Sequence, residues 1–268
     1  MRIAAAVAAA LLASAANAEL RPEWEFGAGA TGFTLPDYRG SDESRGYVLP
    51  FPYLVYRGDF LRVDREGPRA ILVETLHAEV DLSFGGSLPV KSGDNRARQD
   101  MPDLDATVEL GPQLNWTLLG SRGSQPRLDL RLPARVVAAA DLDLKHLRQV
   151  GYVFYPHLEW LAPLAGWDLE LEGGVLYGSS KYHRYFYGVE AQFATPERPA
   201  YDARGGYSGA VASAALTRRF GKLWAGGFLT YDRLRGAVVD DSPLVKRQYG
   251  VSAGVALAWI FAKSSRRE

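Results

Sequence analysis

The chain has 268 residues and no cysteine, and its 31 basic side chains balance 31 acidic ones. The lack of cysteine excludes disulfides and thiolate metal sites, and the net charge of zero provides no basic surface for nucleic acid. No run of about 18 apolar residues follows the N-terminal region, so we predict no transmembrane helix, and the 47% of residues that are hydrophobic must lie in a sandwich core or a lipid-facing barrel wall.

The N-terminus has the pattern of a secretory signal peptide. Arg2 provides a positive charge, residues 3–12 are uncharged and apolar, and Ala16-Asn17-Ala18 matches the small-x-small cleavage pattern. We therefore expect a cleaved signal peptide over residues 1–18, a single mature domain over residues 19–268, and export into a cell envelope.

Alternation of apolar and polar residues predicts β-strands along the whole mature chain. In the last segment, the large side chains of Val255, Leu257 and Trp259 alternate with the small residues Ala256 and Ala258. This segment is about 13 residues long, which exceeds a typical globular strand and suffices to cross a bilayer at a tilt. In chain order, the predicted strands cover residues 24–34, 46–56, 59–65, 69–75, 78–88, 104–119, 125–138, 150–161, 167–180, 205–220, 222–234 and 248–261.

The spacing of these segments favours a membrane barrel over a sandwich. Short gaps alternate with long ones, as periplasmic turns and external loops do in outer-membrane barrels, except at residues 66–68. Aromatic residues are sorted in the same way. All six tryptophans fall at the short-turn ends of their strands, and several tyrosines at the long-loop ends, as in two interfacial girdles: Trp24, Trp116, Trp160, Trp167, Trp224 and Trp259, against Tyr47, Tyr152, Tyr177, Tyr231 and Tyr249. We predict an antiparallel, up-and-down transmembrane β-barrel of about 12 strands, with about 10 as the alternative count, and both termini in the periplasm.

Motifs along nearly the whole mature chain resemble those of the MipA/OmpV family, the MltA-interacting proteins and their outer-membrane relatives. Their order and spacing make the resemblance more specific than any single motif does. They occupy residues 35–43 (LPDYRGSDE), 50–53 (PFPY), 85–90 (GGSLPV), 101–104 (MPDL), 185–189 (YFYGV), 201–206 (YDARGG) and 233–245 (RLRGAVVDDSPLV).

The resemblance implies an outer-membrane barrel, in contact with outer-membrane lipid, in an envelope of the Gram-negative type. It also implies a scaffolding role, because the name-giving member joins a murein-cleaving lytic transglycosylase to a murein-synthesising penicillin-binding protein. Murein lies on the periplasmic side of the outer membrane. We therefore expect contact with such partners at the basic residues Lys263, Arg266 and Arg267, near the C-terminus. Other relatives are described as porin-like or adhesive, so a small-solute channel is the alternative function.

The polar faces of two neighbouring predicted strands have opposite charges. Asp105 and Glu109 lie in one strand, and Arg127, Arg131 and Arg135 lie in the next. Opposite charges on adjacent strands predict ion pairs inside the lumen. Such pairs either fill a narrow barrel or line a path for small solutes. A barrel of about 12 strands fits both readings, because it lies between the filled barrels of about 8 strands and the open porins.

The sequence contains no recognisable motif for catalysis, a cofactor or a metal. Its four histidines have no metal-ligand spacing, and the one GxSxG match, at residues 250–254, lies inside the last predicted strand and not at a turn between a strand and a helix. The glycine-rich residues 27–32 likewise lie in a strand with no following helix. We predict that the protein is not an enzyme and has no cofactor. The long loop 181–204 is rich in tyrosine and arginine, which indicates either an aromatic collar at the outer rim or a protein contact surface.

Overall fold

The computed structural model describes residues 22–64, 67–140 and 147–265, so the predicted signal peptide, Arg266 and Arg267 lie outside the described residues. None of the helices in these ranges has the length and apolar composition needed to span a membrane. The elements are β1 (Trp24–Pro36), β2 (Ser44–Arg57), β3 (Leu61–Asp64), β4 (Gly67–Glu74), β5 (Ala78–Ser87), β6 (Ala106–Leu119), β7 (Arg127–Ala140), β8 (Leu147–Phe154), β9 (His157–Leu164), β10 (Trp167–Gly178), α1 (Ser180–Tyr187), β11 (Gly206–Phe220), β12 (Leu223–Arg233) and β13 (Tyr249–Lys263), with 3-10 turns at Ser92–Asp94, Arg96–Arg98 and Ala191–Phe193.

The strands form a closed antiparallel barrel. Apart from β8 and β9, strands that follow one another along the chain are neighbours in the wall, and β1 pairs with β2 on one side and with β13 on the other. Because the first and last strands pair, neither β1 nor β13 is an unpaired edge strand in the bilayer. This arrangement confirms the predicted up-and-down barrel.

One predicted strand, residues 150–161, is interrupted. β8 and β9 occupy the same position in the wall, since β7 pairs with β8 at Ala134–Phe154 and with β9 at Arg131–His157. Pro156 lies between them and has no N–H to donate to a ladder, which explains the break. The thirteen segments therefore make a barrel of 12 strand positions, as predicted.

Alternate residues face outward and inward along the strands, as predicted. On β13, Leu257 and Trp259 are 56% and 55% exposed, whereas Ala258 between them is 2% exposed. Most strands contribute exposed apolar side chains in this way, and together these form the outer belt of a transmembrane barrel.

Two of the predicted girdle residues face the lumen instead. Trp224 lies near the start of β12 at the predicted level, but its ring packs against Tyr53, with 5.7 Å between centroids. Tyr47 stacks on Phe33 at 5.3 Å, and Phe33 belongs to the inward-facing set of β1 together with the buried Glu25. The position along a strand was predicted correctly for these two residues, but the face was not.

The two ends of the barrel differ in their connections. Short turns and the two described termini lie at one end, which we call the turn end. Loops at residues 37–43, 88–105, 179–205 and 234–248 lie at the other, which we call the loop end. The β3–β4 hairpin is the exception, because β3 has four residues and turns back within the wall.

Candidate functional site: a lumen closed at the loop end

Four of the five predicted charges, all except Asp105, lie in the lumen, and only some of them pair as expected. Glu109 Oε2 of β6 and Arg135 Nη1 of β7 lie 3.6 Å apart. Asp105, in contrast, lies 3.7 Å from Arg148 at the start of β8, and its predicted pairing with the arginines of β7 is wrong. Asp105 precedes β6 at the loop end. The register pairs Ala106, next to Asp105, with Ala140 at the end of β7, so all three arginines lie nearer to the turn end than Asp105 does.

The other two arginines of β7 form ion pairs with acidic residues on the same strand and on β9. Arg127 Nε donates to Asp129 Oδ2 at 2.7 Å, and Arg131 Nη2 lies 2.5 Å from Glu159 Oε2. All four side chains are buried. Paired charges at this depth fill the lumen beside β7 and β9 and hold neighbouring wall positions together.

A second charged cluster was not predicted from the sequence. Glu79 is fully buried and is surrounded by three arginines: Arg62 and Arg69, each at 3.5 Å, and Arg122, in closer contact. Asn115 Nδ2 donates to Glu79 Oε1 at 3.1 Å. The three arginines come from β3, β4 and the β6–β7 turn, so only the folded barrel brings them together.

The loop end is closed by a hydrophobic cap formed by the long loops. Helix α1 and the segments around it bury their side chains against one another and against the inward faces of Val137 and Val153. Burial of each large apolar side chain contributes roughly 1.5–3 kcal/mol. The first half of loop 181–204 is therefore buried in the cap, and it forms neither an aromatic collar nor an exposed contact surface. The cap comprises Tyr38, Val90, Ala97, Leu104, Tyr182, Phe186, Tyr187, Val189, Ala203, Leu234, Ala237, Val239 and Leu244.

Hydrogen bonds to backbone carbonyls link separate loops within the cap. The Tyr38 hydroxyl donates to the carbonyl of Leu244 at 2.8 Å, and the Ser242 hydroxyl donates to the carbonyl of Tyr187 at 2.8 Å. Burial raises the pKa of Tyr187 to about 12, so the phenol stays neutral. These contacts join loops that are more than fifty residues apart in the chain.

Beneath the cap, polar side chains fasten it to the barrel wall. Arg39 forms a bidentate ion pair with Asp232 of β12. His183 of α1 contacts the carbonyl of Arg204 through Nδ1 at 2.5 Å and Ser208 Oγ of β11 through Nε2 at 2.9 Å. Burial lowers the pKa of His183, which favours the neutral ring. His183 and Ser208 are fully buried, so this pair anchors α1 and is closed to a substrate.

The turn end opens into a cavity of about 1490 Å³. None of the described residues that line it belongs to the long loops, so it lies below the cap. Its wall is partly charged, with Arg57, Arg62 and Arg127 among the lining residues, and partly aromatic, with Tyr53 and Trp224. The predicted partner residue Lys263 lies exposed at its rim, whereas Arg266 and Arg267 lie outside the described residues.

Comparison with solved structures finds other membrane barrels at low sequence identity. The chain is similar to an outer membrane channel from Pseudomonas putida F1, with a TM-score of 0.36 and 13% identity over 92% of this chain and 100% of that one. It is similar to outer membrane phospholipase A from Escherichia coli, with a TM-score of 0.33 and 9% identity over 90% and 94% of the two chains. For the CymD monoaromatic hydrocarbon channel, the TM-score is 0.32 and the identity 10%, over 91% and 90%.

Sequence comparison identifies the family. A search of curated proteins finds no match to this chain. The family model described as MltA-interacting protein MipA matches residues 28–261, from the first strand to the last. The predicted resemblance is thereby confirmed, and the chain belongs to the MipA family.

Proposed function

We propose that the protein resides in the outer membrane as a structural, non-enzymatic barrel that binds murein-turnover enzymes from the periplasmic side. The observation that carries the proposal is the difference between the two ends of the lumen. The loop end is closed by the cap, and buried ion pairs such as Arg131–Glu159 occupy the lumen beside β7 and β9. The turn end, in contrast, presents an open cavity. A plugged barrel with one accessible end suits a docking protein better than a pore.

The family supplies the candidate partners. Its description names an interaction with MltA, and the resemblance adds a lytic transglycosylase and a penicillin-binding protein as the two enzymes to be joined. Murein lies in the periplasm, so these enzymes can reach only the turn end. Lys263 is exposed there, and the sequence adds two more basic residues close to it, Arg266 and Arg267, so this end of the chain suits an acidic patch on a partner.

The experiment compares two triple variants in a pull-down with purified lytic transglycosylase and penicillin-binding protein. Lys263→Gln with Arg266→Gln and Arg267→Gln removes the three predicted contact residues near the C-terminus. Arg96→Gln with Arg148→Gln and Arg184→Gln removes three cations of the loop end, whose side chains are 81%, 65% and 56% exposed. We expect the turn-end variant to lose most of the captured enzyme and the loop-end control to retain it. Equal capture by both variants would contradict the proposed contact.

A small-solute channel is the second candidate, because the cavity of about 1490 Å³ reaches well into the barrel. The cap and the buried ion pairs predict little conductance in planar bilayers. A large, steady conductance of the wild-type protein, with no enzyme captured, would favour the channel and overturn the scaffold.

A further inference from the structure

The barrel wall is incomplete between β2 and β5 on the loop-end side. β2 pairs with β3 only at Tyr56 and Arg57, and β4 pairs with β5 only as far as Ser83. Beyond these points, among the described residues, Ser44–Val55 pairs only with β1 and Phe84–Ser87 only with β6. We call this gap the notch. Its lower edge is the short β3–β4 hairpin, and its sides are β2 and β5.

Loop contacts close the notch from above. Arg45 of β2 donates to Asp37 through Nε at 2.8 Å and to Asp94 of the β5–β6 loop through Nη1 at 3.2 Å. Arg96 Nε donates to Glu43 at 2.8 Å, and this hydrogen bond lowers the pKa of the Glu43 carboxyl. With the β1–β2 and β5–β6 loops tied together, the notch opens sideways, towards the bilayer.

The edge of β2 is poorly suited to pairing with another strand. Pro50 and Pro52 stay in unbroken register with Ala30 and Ala28 of β1. A proline fits such a ladder only where its missing N–H would have pointed away from the partner. Both nitrogens therefore face the notch, and an added strand would lack two donors. Backbone that is unpaired at membrane depth is tolerated where it lines a wet cavity, so this edge fits an opening into the lumen.

An aromatic surface lies behind the notch. Phe51, Tyr53, Trp224 and Phe228 all line the cavity, and we call them the aromatic platform. The ring of Phe51 lies against β1 at Gly29, so closely that a Cβ added at Gly29 would come within 2.8 Å of the ring. Phe228 is 38% exposed although it faces inward. A platform of ring faces beside an opening to lipid suits a hydrocarbon chain.

Cations lie at the turn end of the platform. Arg57 and Arg219 share a single carboxylate, Glu25, which is 2% exposed. Lys263 lies at the rim of the same cavity. Eight basic and six acidic residues occur among the described residues that line the cavity. Two guanidinium groups on one carboxylate leave N–H donors for a further anion, so an anionic head group is favoured over a cationic one.

We propose that the notch is a lateral portal and that the cavity binds an anionic amphiphile with one hydrocarbon chain, of the fatty-acid class. The hydrocarbon chain of the amphiphile lies on the aromatic platform, and its carboxylate contacts the Arg57–Arg219 pair. The amphiphile enters from the bilayer without passing the cap. This site is independent of the scaffold role, because it requires no protein partner.

Trp224 is the tryptophan that reports on this site, since none of the other five lines the cavity. The experiment measures quenching of tryptophan fluorescence by a bromine-labelled dodecanoate in the full barrel, reconstituted in nanodiscs. Trp259→Phe is the matched control, because Trp259 lies on the adjacent strand at the turn end and faces lipid. We expect a saturable component that is lost in Trp224→Phe, kept in Trp259→Phe, competed by dodecanoate and not by dodecyltrimethylammonium. A component that survives in Trp224→Phe, or equal competition by the cation, would overturn the site.

The head-group contact and the portal are tested separately. Arg219→Gln should weaken dodecanoate binding by about tenfold, the worth of one charge-assisted contact, and Arg219→Lys should restore most of it. Unchanged heat-modifiable migration on a gel shows that both variants fold. A photoreactive fatty acid should label Leu49 and Phe84, at the notch, more strongly than Leu229 and Val251, which are similarly exposed on β12 and β13. Equal labelling of the two pairs would overturn the portal.

Discussion

Arg39 and Asp232 join the loop between β1 and β2 to β12, the penultimate strand of the barrel. Arg39 Nε lies 2.5 Å from Asp232 Oδ2, and Nη2 lies 3.1 Å from Oδ1, so both carboxylate oxygens are engaged. About a fifth of each side chain is exposed. Because a bidentate ion pair fixes the orientation of the two side chains as well as the distance between them, this pair holds the base of the cap in place.

Removal of one member of this pair should loosen the cap. Arg39→Met leaves Asp232 without its cation, and we expect a loss of about 2–4 kcal/mol in the free energy of unfolding, below the cost of breaking a fully buried pair. The same variant should conduct more in planar bilayers. The double variant Arg39→Met with Asp232→Leu should recover part of the stability. A double variant as unstable as the sum of the two single ones would contradict the assigned pairing.

The cap should weaken at acidic pH because of His183. Burial holds its pKa below the ordinary value of 6.5, so the neutral ring stabilises the fold fully above that value, and the stabilisation is lost as the pH falls below it. Protonation would place a second cation beside Arg39, near Ser208 and the carbonyl of Arg204. Limited proteolysis of the loops between pH 7.5 and pH 5, values about one unit or more either side of the ordinary pKa, measures the effect.

The control for this prediction is the exposed His77, in the turn between β4 and β5. His183→Gln should reduce the pH dependence of cleavage, whereas His77→Gln should leave it unchanged. If cleavage of the wild type does not increase as the pH falls, His183 does not govern the stability of the cap.

Buried and exposed ion pairs should differ in their contribution to stability. Arg131→Gln breaks the ion pair with Glu159 at a position where both side chains are buried, and we expect a loss of about 3–5 kcal/mol. Arg148→Gln removes the partner of Asp105, where the side chains are 65% and 41% exposed, and should cost less than about 1 kcal/mol. Urea titrations of the two variants, followed by tryptophan fluorescence, give both values. Similar costs for the two would argue against the observed pairing.

Adjacent substitutions on β13 test the facing of the wall. Leu257→Arg places a charge on the lipid side and should cost up to about 2–4 kcal/mol, depending on its depth. Ala256 lines the cavity, which has room for the longer side chain, so Ala256→Arg should fold nearly as well as the wild type. Folding into vesicles of graded acyl-chain length distinguishes them. The facing is wrong if both variants show the same dependence on bilayer thickness.

The strands and their facing were predictable from the sequence because both depend on local geometry. Successive side chains of a strand point to opposite faces, so the alternation around Leu257 predicts which residues face lipid without knowledge of their neighbours. Gap lengths likewise predicted the two ends of the barrel. Where Pro156 interrupts the ladder, the pattern of apolar residues continues, so the break between β8 and β9 passed unnoticed.

Only the tertiary structure decided which charges pair, which end is closed and where the wall is incomplete. The pairing of Asp105 with Arg148 depends on strand register, and register is set by neighbours that alternation does not specify. The hydrogen bond from Tyr38 to Leu244 joins residues more than two hundred positions apart. Such contacts form only when loops meet in space, and the local pattern of a loop contains no periodicity that predicts its partner.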